Sequence, residues 1–223
     1  MDAVLWDMDG TLIDSEPLWE IATYEMSESL GRRLSPKLRA LTVGGTFRNT
    51  ADICAEHAGV TLTEADYGRL QRTMFDRMAE LLVQARVNPG IHQLLADVSE
   101  AGIPMAVVTN TPRELAEPAI SAIGAGFFSA VVCGDDVSDG KPDPLIYRTA
   151  AAVLKVPTSR CLVFEDSTTG MTAAYRAGCK VVAAPGSAET RPPGTQIMTP
   201  PTFVGVTAVK LRHWFEAMEE LPK

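Results

Sequence analysis

The feature that most constrains the fold is a set of short apolar runs, rich in β-branched residues, that stop abruptly at polar or glycine-rich turns. They are Ala3 to Trp6, Ile103 to Val108, Ala130 to Cys133, Cys161 to Phe164 and Val181 to Ala184. Each is too short for a buried helix and suits a strand covered on both faces. Helix-length segments separate most of them, so the chain is expected to form an α/β fold, a parallel sheet with helices on both faces.

Helix punctuation supports this. Thr111, Pro112, Arg113 and Glu114 place a cap residue, a first-turn proline and a capping-box glutamate in order, which predicts that Thr111 caps a helix. Asp143 and Pro144 repeat the pair before Leu145 to Leu154, and Ser167 opens Thr168 to Ala177, which Gly178 closes. Between the first and second runs lie only helical patterns, Pro17 to Leu30, Asn49 to His57 and Glu64 to Leu82. Asn88, Pro89 and Gly90 then make a sharp turn before a helix over Ile91 to Ala101. The expectation is an all-helical domain at residues 16–86 inserted into an α/β core of 1–15 plus 87–223. Pro185 to Pro201 reads as loop and Val206 to Leu221 as a final helix.

Composition narrows the function. With 28 acidic and 20 basic residues among 223, the formal charge is -8, which repels nucleic acid rather than collecting it. No apolar run is long enough to cross a bilayer, and the opening residues do not resemble an export signal, so a cytoplasmic protein is expected. Cys54, Cys133, Cys161 and Cys179 form no C-x-x-C pair, and Cys133 and Cys161 sit in apolar runs, where they read as small buried hydrophobes.

Chemistry concentrates where the runs end. Asp7 and Asp9 follow the first, with Gly10 allowing a tight turn, and Glu165 and Asp166 follow the fourth. In a parallel sheet these ends form the mouth where ligands bind. Four clustered oxygen ligands without histidine or thiolate indicate a hard cation, Mg²⁺ before zinc. Thr109 and Asn110 end the second run, ahead of a helix whose N-terminal amides can receive an oxyanion. Lys141 is restrained between Gly140 and Pro142, so that its ammonium can neutralise a phosphoryl oxygen. Together these residues make a phosphoryl-transfer site.

The strings DMDGTLIDSE at 7–16, VVTNT at 107–111, GKPDP at 140–144 and FEDSTTG at 164–170 resemble the four ordered signatures of the haloacid dehalogenase-like hydrolase superfamily, in its branch with a helical cap. The resemblance implies a Rossmann-like core with an inserted cap, and a magnesium-dependent phosphomonoester hydrolase acting through an aspartyl-phosphate. It makes Asp7 the nucleophile, and Asp9 the general acid and base whose backbone carbonyl binds Mg²⁺. It makes Asp166 a metal ligand, with Glu165 a ligand directly or through water. Thr109 and Asn110 would hold the transferring group, and Lys141 would steady Asp7 and the phosphoryl oxygens.

The expected substrate is a small phosphorylated metabolite, with a sugar or polyol phosphate favoured because LIDSEPLW resembles the opening of such phosphatases. Substrate choice would fall to the cap, with Arg48 and Trp19 as candidates. A β-phosphoglucomutase-type mutase is the alternative enzyme, but its cap histidine has no counterpart here before His57. A non-catalytic phosphometabolite-binding module is the alternative outside enzymes; it would be signalled by a decayed motif, and all four are intact. A monomer is favoured.

Overall fold

A computed structural model of the chain describes residues 1–218. It divides into two compact units, one of Met1–Asp14 with the chain from Arg86 onward, the other of Ser15–Ala85.

The first unit is the α/β body. Its strands are β1 (Ala3–Trp6), β2 (Ile13–Asp14), β3 (Arg86–Val87), β4 (Met105–Val108), β5 (Ala130–Val132), β6 (Cys161–Glu165), β7 (Lys180–Ala183) and β8 (Gln196–Ile197). Six form one sheet in the order β5-β4-β1-β6-β7-β8, with every pairing parallel. The strand order reverses about β1, which makes its carboxyl end the place where such sheets open a crevice. β4 starts two residues later than expected because Pro104 has no N–H to donate, although its carbonyl still accepts from Val4 at 3.1 Å. The two-residue strand β8 and the antiparallel pair β2–β3, which registers Ile13 on Val87 and Asp14 on Arg86, were not anticipated.

Side-chain alternation sorts the sheet into two cores. Ala3 and Leu5 of β1, Ala106 and Val108 of β4, and Cys161 and Val163 of β6 share one apolar layer with Ile146, Tyr147 and Ala150 and with Met171 and Ala174. The last two sets belong to helices numbered below. Trp6 takes the other parity: it stacks on Phe164 with ring centroids 4.5 Å apart, and Phe203 meets both rings edge-on.

The helices in chain order are α1 (Glu16–Ser29), α2 (Pro36–Ala40), α3 (Phe47–Ala58), α4 (Glu64–Leu82), α5 (Ile91–Glu100), α6 (Arg113–Ile123), α7 (Leu145–Leu154), α8 (Thr168–Ala177) and α9 (Ala208–Ala217). The first four make up the second unit. Its core is built from stripes such as Leu70, Met74, Met78 and Leu81 on α4, spaced at one helical turn. α2 was not foreseen; Ser35 caps it by accepting the Leu38 N–H at 3.3 Å, and Pro36 supplies its first turn. α3 begins at Phe47 rather than Asn49 because Thr46 is its cap. Thr207 caps α9, which starts two residues later than expected; the part of that expected helix beyond residue 218 lies outside the described residues. Among the described residues no helix is long and apolar enough to cross a membrane.

Candidate active site

Parity decides which acids meet. Asp7 continues the Ala3, Leu5 face of β1, and Glu165 continues the Cys161, Val163 face of β6. Both carboxylates therefore enter the layer shared with α7 and α8 instead of fanning into solvent. Asp7 is 5% exposed and Glu165 fully buried. The ammonium of Lys141, 2% exposed, joins them, donating to Asp7 Oδ1 and to Glu165 Oε1 at 2.6 Å each.

Glu165 is saturated by protein donors. Besides Lys141, its Oε1 accepts the Tyr147 hydroxyl at 2.6 Å, while Oε2 accepts the N–H and hydroxyl of Ser167 at 3.3 and 3.1 Å. Asp7 is not: its Oδ2 is buried without a hydrogen-bond partner among the described residues. Burial, then the Glu165 charge, push the Asp7 carboxyl up to about 8 against the pull of Lys141. Burial works against the Lys141 ammonium, but Asp7 and Glu165 outweigh it and raise its pKa. Burial and then the Glu165 charge drive the Tyr147 phenol well above its ordinary range, so it is a neutral donor.

These charges describe a cation site. Carboxylate oxygens of Asp7, Glu165 and Asp166 lie within 4.8 Å of one another. Three ionised carboxylates, two of them bonded to the Lys141 ammonium, leave two negative charges, the amount one divalent ion cancels. The orphaned Asp7 Oδ2 and the all-oxygen donor set fit Mg²⁺. Gly10 has φ +82°, and a Cβ there would fall on the Asp166 carboxylate. The glycine thus serves the turn and also clears space for an acid. The turn is pinned by Asn88, whose side-chain amide donates to the carbonyls of Gly10 and Thr11 at 3.2 and 2.8 Å.

Asp9 stands apart from that carboxylate cluster. Its Oδ2 accepts the hydroxyls of Thr111 at 2.7 Å and Thr109 at 3.3 Å, and the Thr109 hydroxyl accepts the Thr111 N–H at 3.0 Å. Thr111 is therefore not a helix cap: α6 starts from Pro112 without a side-chain cap bond, and the Arg113 N–H donates to Asp135 Oδ1 at 3.0 Å instead. The Asn110 side chain holds the Lys141 turn, accepting the Lys141 N–H at 2.8 Å and donating to its carbonyl at 3.2 Å. The α7 start agrees with the sequence reading, since Asp143 accepts the Leu145 N–H at 2.8 Å.

The structure thus brings together Asp7, Asp9, Thr109, Asn110, Lys141, Glu165 and Asp166, all in the first unit. Tyr147, Thr111 and Asn88 were missed by sequence reasoning. Arg48 and Trp19 belong to the second unit. Arg48 is an exposed residue of α3 that donates to both carboxylate oxygens of Glu64, at 2.6 and 3.1 Å, with its guanidinium carbon 4.1 Å from the centre of the Tyr67 ring. Trp19 is half-buried on α1.

A family model for haloacid dehalogenase-like hydrolases matches residues 1–178. The chain is 33% identical over 180 residues to a phosphorylated carbohydrates phosphatase of Thermotoga maritima, covering 80% of this chain and 82% of that protein. It is 36% identical over 181 residues to a validoxylamine A 7'-phosphate phosphatase of Streptomyces hygroscopicus, covering 78% and 81%. A β-phosphoglucomutase structure from Clostridium difficile superposes with a TM-score of 0.87 over 97% of both chains, at 17% identity, a likeness of fold alone.

Proposed function

Because the chain belongs to the haloacid dehalogenase-like hydrolase family, we propose that its magnesium-dependent phosphomonoesterase activity runs through Asp7 and is directed at a sugar or polyol phosphate. The observation that carries the reading is the buried Asp7 carboxylate, held at one oxygen by Lys141 and left without a hydrogen-bond partner among the described residues at the other.

In this scheme an Asp7 oxygen forms a bond to phosphorus as the bond to the leaving alkoxide breaks, giving an aspartyl-phosphate. Asp9 gives the alkoxide its proton, then as a carboxylate takes one from the water that attacks the same phosphorus and releases phosphate. Lys141 faces the charge that gathers on Asp7 and the phosphoryl oxygens, while Thr109 and the backbone of Asn110 receive the transferring group. Asp7, the Asp9 carbonyl and Asp166 would hold Mg²⁺, with Glu165 at its side; the ion, when bound, withdraws charge from the phosphoryl oxygens.

The substrate class is supported by relatives whose names specify phosphorylated carbohydrates and validoxylamine A 7'-phosphate. We assign the choice among leaving groups to the helical domain of residues 16–86, through Arg48 and Trp19. Four buried free thiols support work in the reducing cytoplasm.

The test is phosphate release from an aryl phosphate with and without Mg²⁺, then a ranked screen of phosphorylated metabolites. Asp7→Asn is expected to abolish turnover, and undiminished activity in clean variant protein would end the nucleophile assignment. Sugar and polyol phosphates should head the ranking, and a preference for nucleotides would remove the substrate class. Arg48→Ala and Trp19→Ala should reorder that ranking; an identical order would remove their assignment.

A further inference from the structure

The reaction scheme gives no role to one polar group at the centre of the site. The hydroxyl of Tyr147, a residue of α7 buried to 0% exposure, donates to Glu165 Oε1 at 2.6 Å. That same oxygen accepts from Lys141 at 2.6 Å. Lys141 is shared in turn, since its ammonium also donates to Asp7 Oδ1 at 2.6 Å. Two donors thus compete for Glu165 Oε1, and two acceptors compete for Lys141.

Glu165 cannot escape the competition by moving. Its other oxygen is held by the N–H and hydroxyl of Ser167. Gly170 lies against the carboxylate so closely that a Cβ there would overlap it. The Tyr147 ring centre is 5.5 Å from the Lys141 ammonium. Each donor to the same oxygen offsets part of its negative charge, so in so dry a setting it weakens that oxygen's electrostatic pull on the other donor.

We propose that Tyr147 is a positioning residue for the reaction: by satisfying part of Glu165 Oε1, its hydroxyl keeps the Lys141 ammonium shared with Asp7 instead of drawn onto Glu165. The hydroxyl touches no reacting atom and acts through Glu165 and Lys141. The proposal rests on the reading of Asp7 as nucleophile and Lys141 as its partner. A purely structural tyrosine would affect stability; this one sets how much positive charge faces Asp7 as the phosphoryl group arrives.

Tyr147→Phe keeps the ring and removes the donor. With an aryl phosphate at saturating Mg²⁺, kcat should fall about tenfold while KM stays within about twofold, the pattern for a contact felt in the transition state. In the Glu165→Gln background the same change should cost no more than about twofold, because the oxygen over which the donors compete has lost its charge. p-Aminophenylalanine in place of Tyr147 restores a donor and should recover most of the lost rate.

Wild-type kcat in folded Tyr147→Phe protein would overturn the proposal, as would a full tenfold loss in the Glu165→Gln background. If Tyr147→Phe does not fold, the p-aminophenylalanine protein decides: near-wild-type turnover supports the positioning role, and a tenfold loss in folded protein overturns it. Asp7→Asn is assayed in parallel. Activity there would mean the nucleophile reading has failed, whereas a dead Asp7→Asn beside a fully active Tyr147→Phe would sink only the positioning role.

Discussion

Raising the pH of the metal-free protein should tighten its grip on Mg²⁺ with a magnitude set by Asp7. Its carboxyl is pushed up to about 8, chiefly by burial and then by Glu165, so below that pH it carries a proton that a cation must displace. A carboxyl titrating near 8 is almost wholly protonated at pH 6 and about half ionised at pH 8, so affinity should rise at least about tenfold, worth roughly 1.4 kcal/mol, and flatten above pH 8. Calorimetric titration in buffers of different ionisation enthalpy should find about one proton released per ion at pH 6 and about half of one at pH 8. The stability of the metal-free chain moves the other way. A carboxyl whose folded pKa is raised contributes stability that is complete below its unfolded value near 4. That contribution is lost at about 1.4 kcal/mol per pH unit as pH climbs toward 8. Asp7→Asn, neutral at every pH, should therefore melt higher than wild type at pH 8 without Mg²⁺ and show no such gain at pH 4. Flat Mg²⁺ affinity from pH 6 to 8 with no proton release would refute the account of Asp7 as a strained buried acid.

Two further substitutions probe the same charges. Lys141→Met leaves Glu165 and Asp7 buried without their cation and should destabilise the metal-free protein by about 3 kcal/mol, the low end for a broken buried pair because Glu165 keeps its Tyr147 and Ser167 donors. Chemical denaturation at pH 8 measures this, phosphate release should fall at least about a thousandfold, and wild-type stability would show that the pair is not coupled. Gly10→Ala drives a methyl onto the Asp166 carboxylate at a backbone angle that disfavours alanine. The Mg²⁺ concentration for half-maximal activity should rise at least about tenfold, and an unchanged value would mean that Asp166 is not a ligand.

How much of this was legible in the sequence depended on whether a residue's neighbours in the chain differ from those in space. Asp7, Thr109 and Glu165 could be found because strand ends are punctuated locally and a parallel sheet gathers such ends along one edge. Lys141 could be found because glycine and proline flank it. Tyr147 could not: an aromatic two residues inside a helix has the same pattern whether its hydroxyl is idle or bonded to Glu165. Thr111 actively misled. A threonine before proline and three residues before glutamate spells a helix start, yet its hydroxyl belongs to Asp9, 102 residues away in the chain. The strand β8 was hidden for a different reason: two residues among glycine, proline and threonine have no period to read, and only pairing with Val182 and Ala183 makes them a strand.

The demand for a metal follows from burial more than from motif spacing. The alternation that puts Ala3 and Leu5, or Cys161 and Val163, into an apolar layer must put the next odd-numbered residue of each strand there too, and those residues are Asp7 and Glu165. A carboxylate in such a layer costs several kcal/mol unless it is paired. Lys141 enters the same layer and offsets one charge, and Tyr147 and Ser167 solvate Glu165 within the protein. Asp7 Oδ2 receives no hydrogen bond from the described residues. Without an ion the cheapest remedy is a proton, as the raised Asp7 carboxyl indicates. A divalent cation held by Asp7 and Asp166 would take the place of that proton, so on the proposed reading the acid would be ready as a nucleophile only with the ion bound. Core packing and the metal requirement are thus consequences of one strand register, and a one-residue slip of β1 against β6 would remove both.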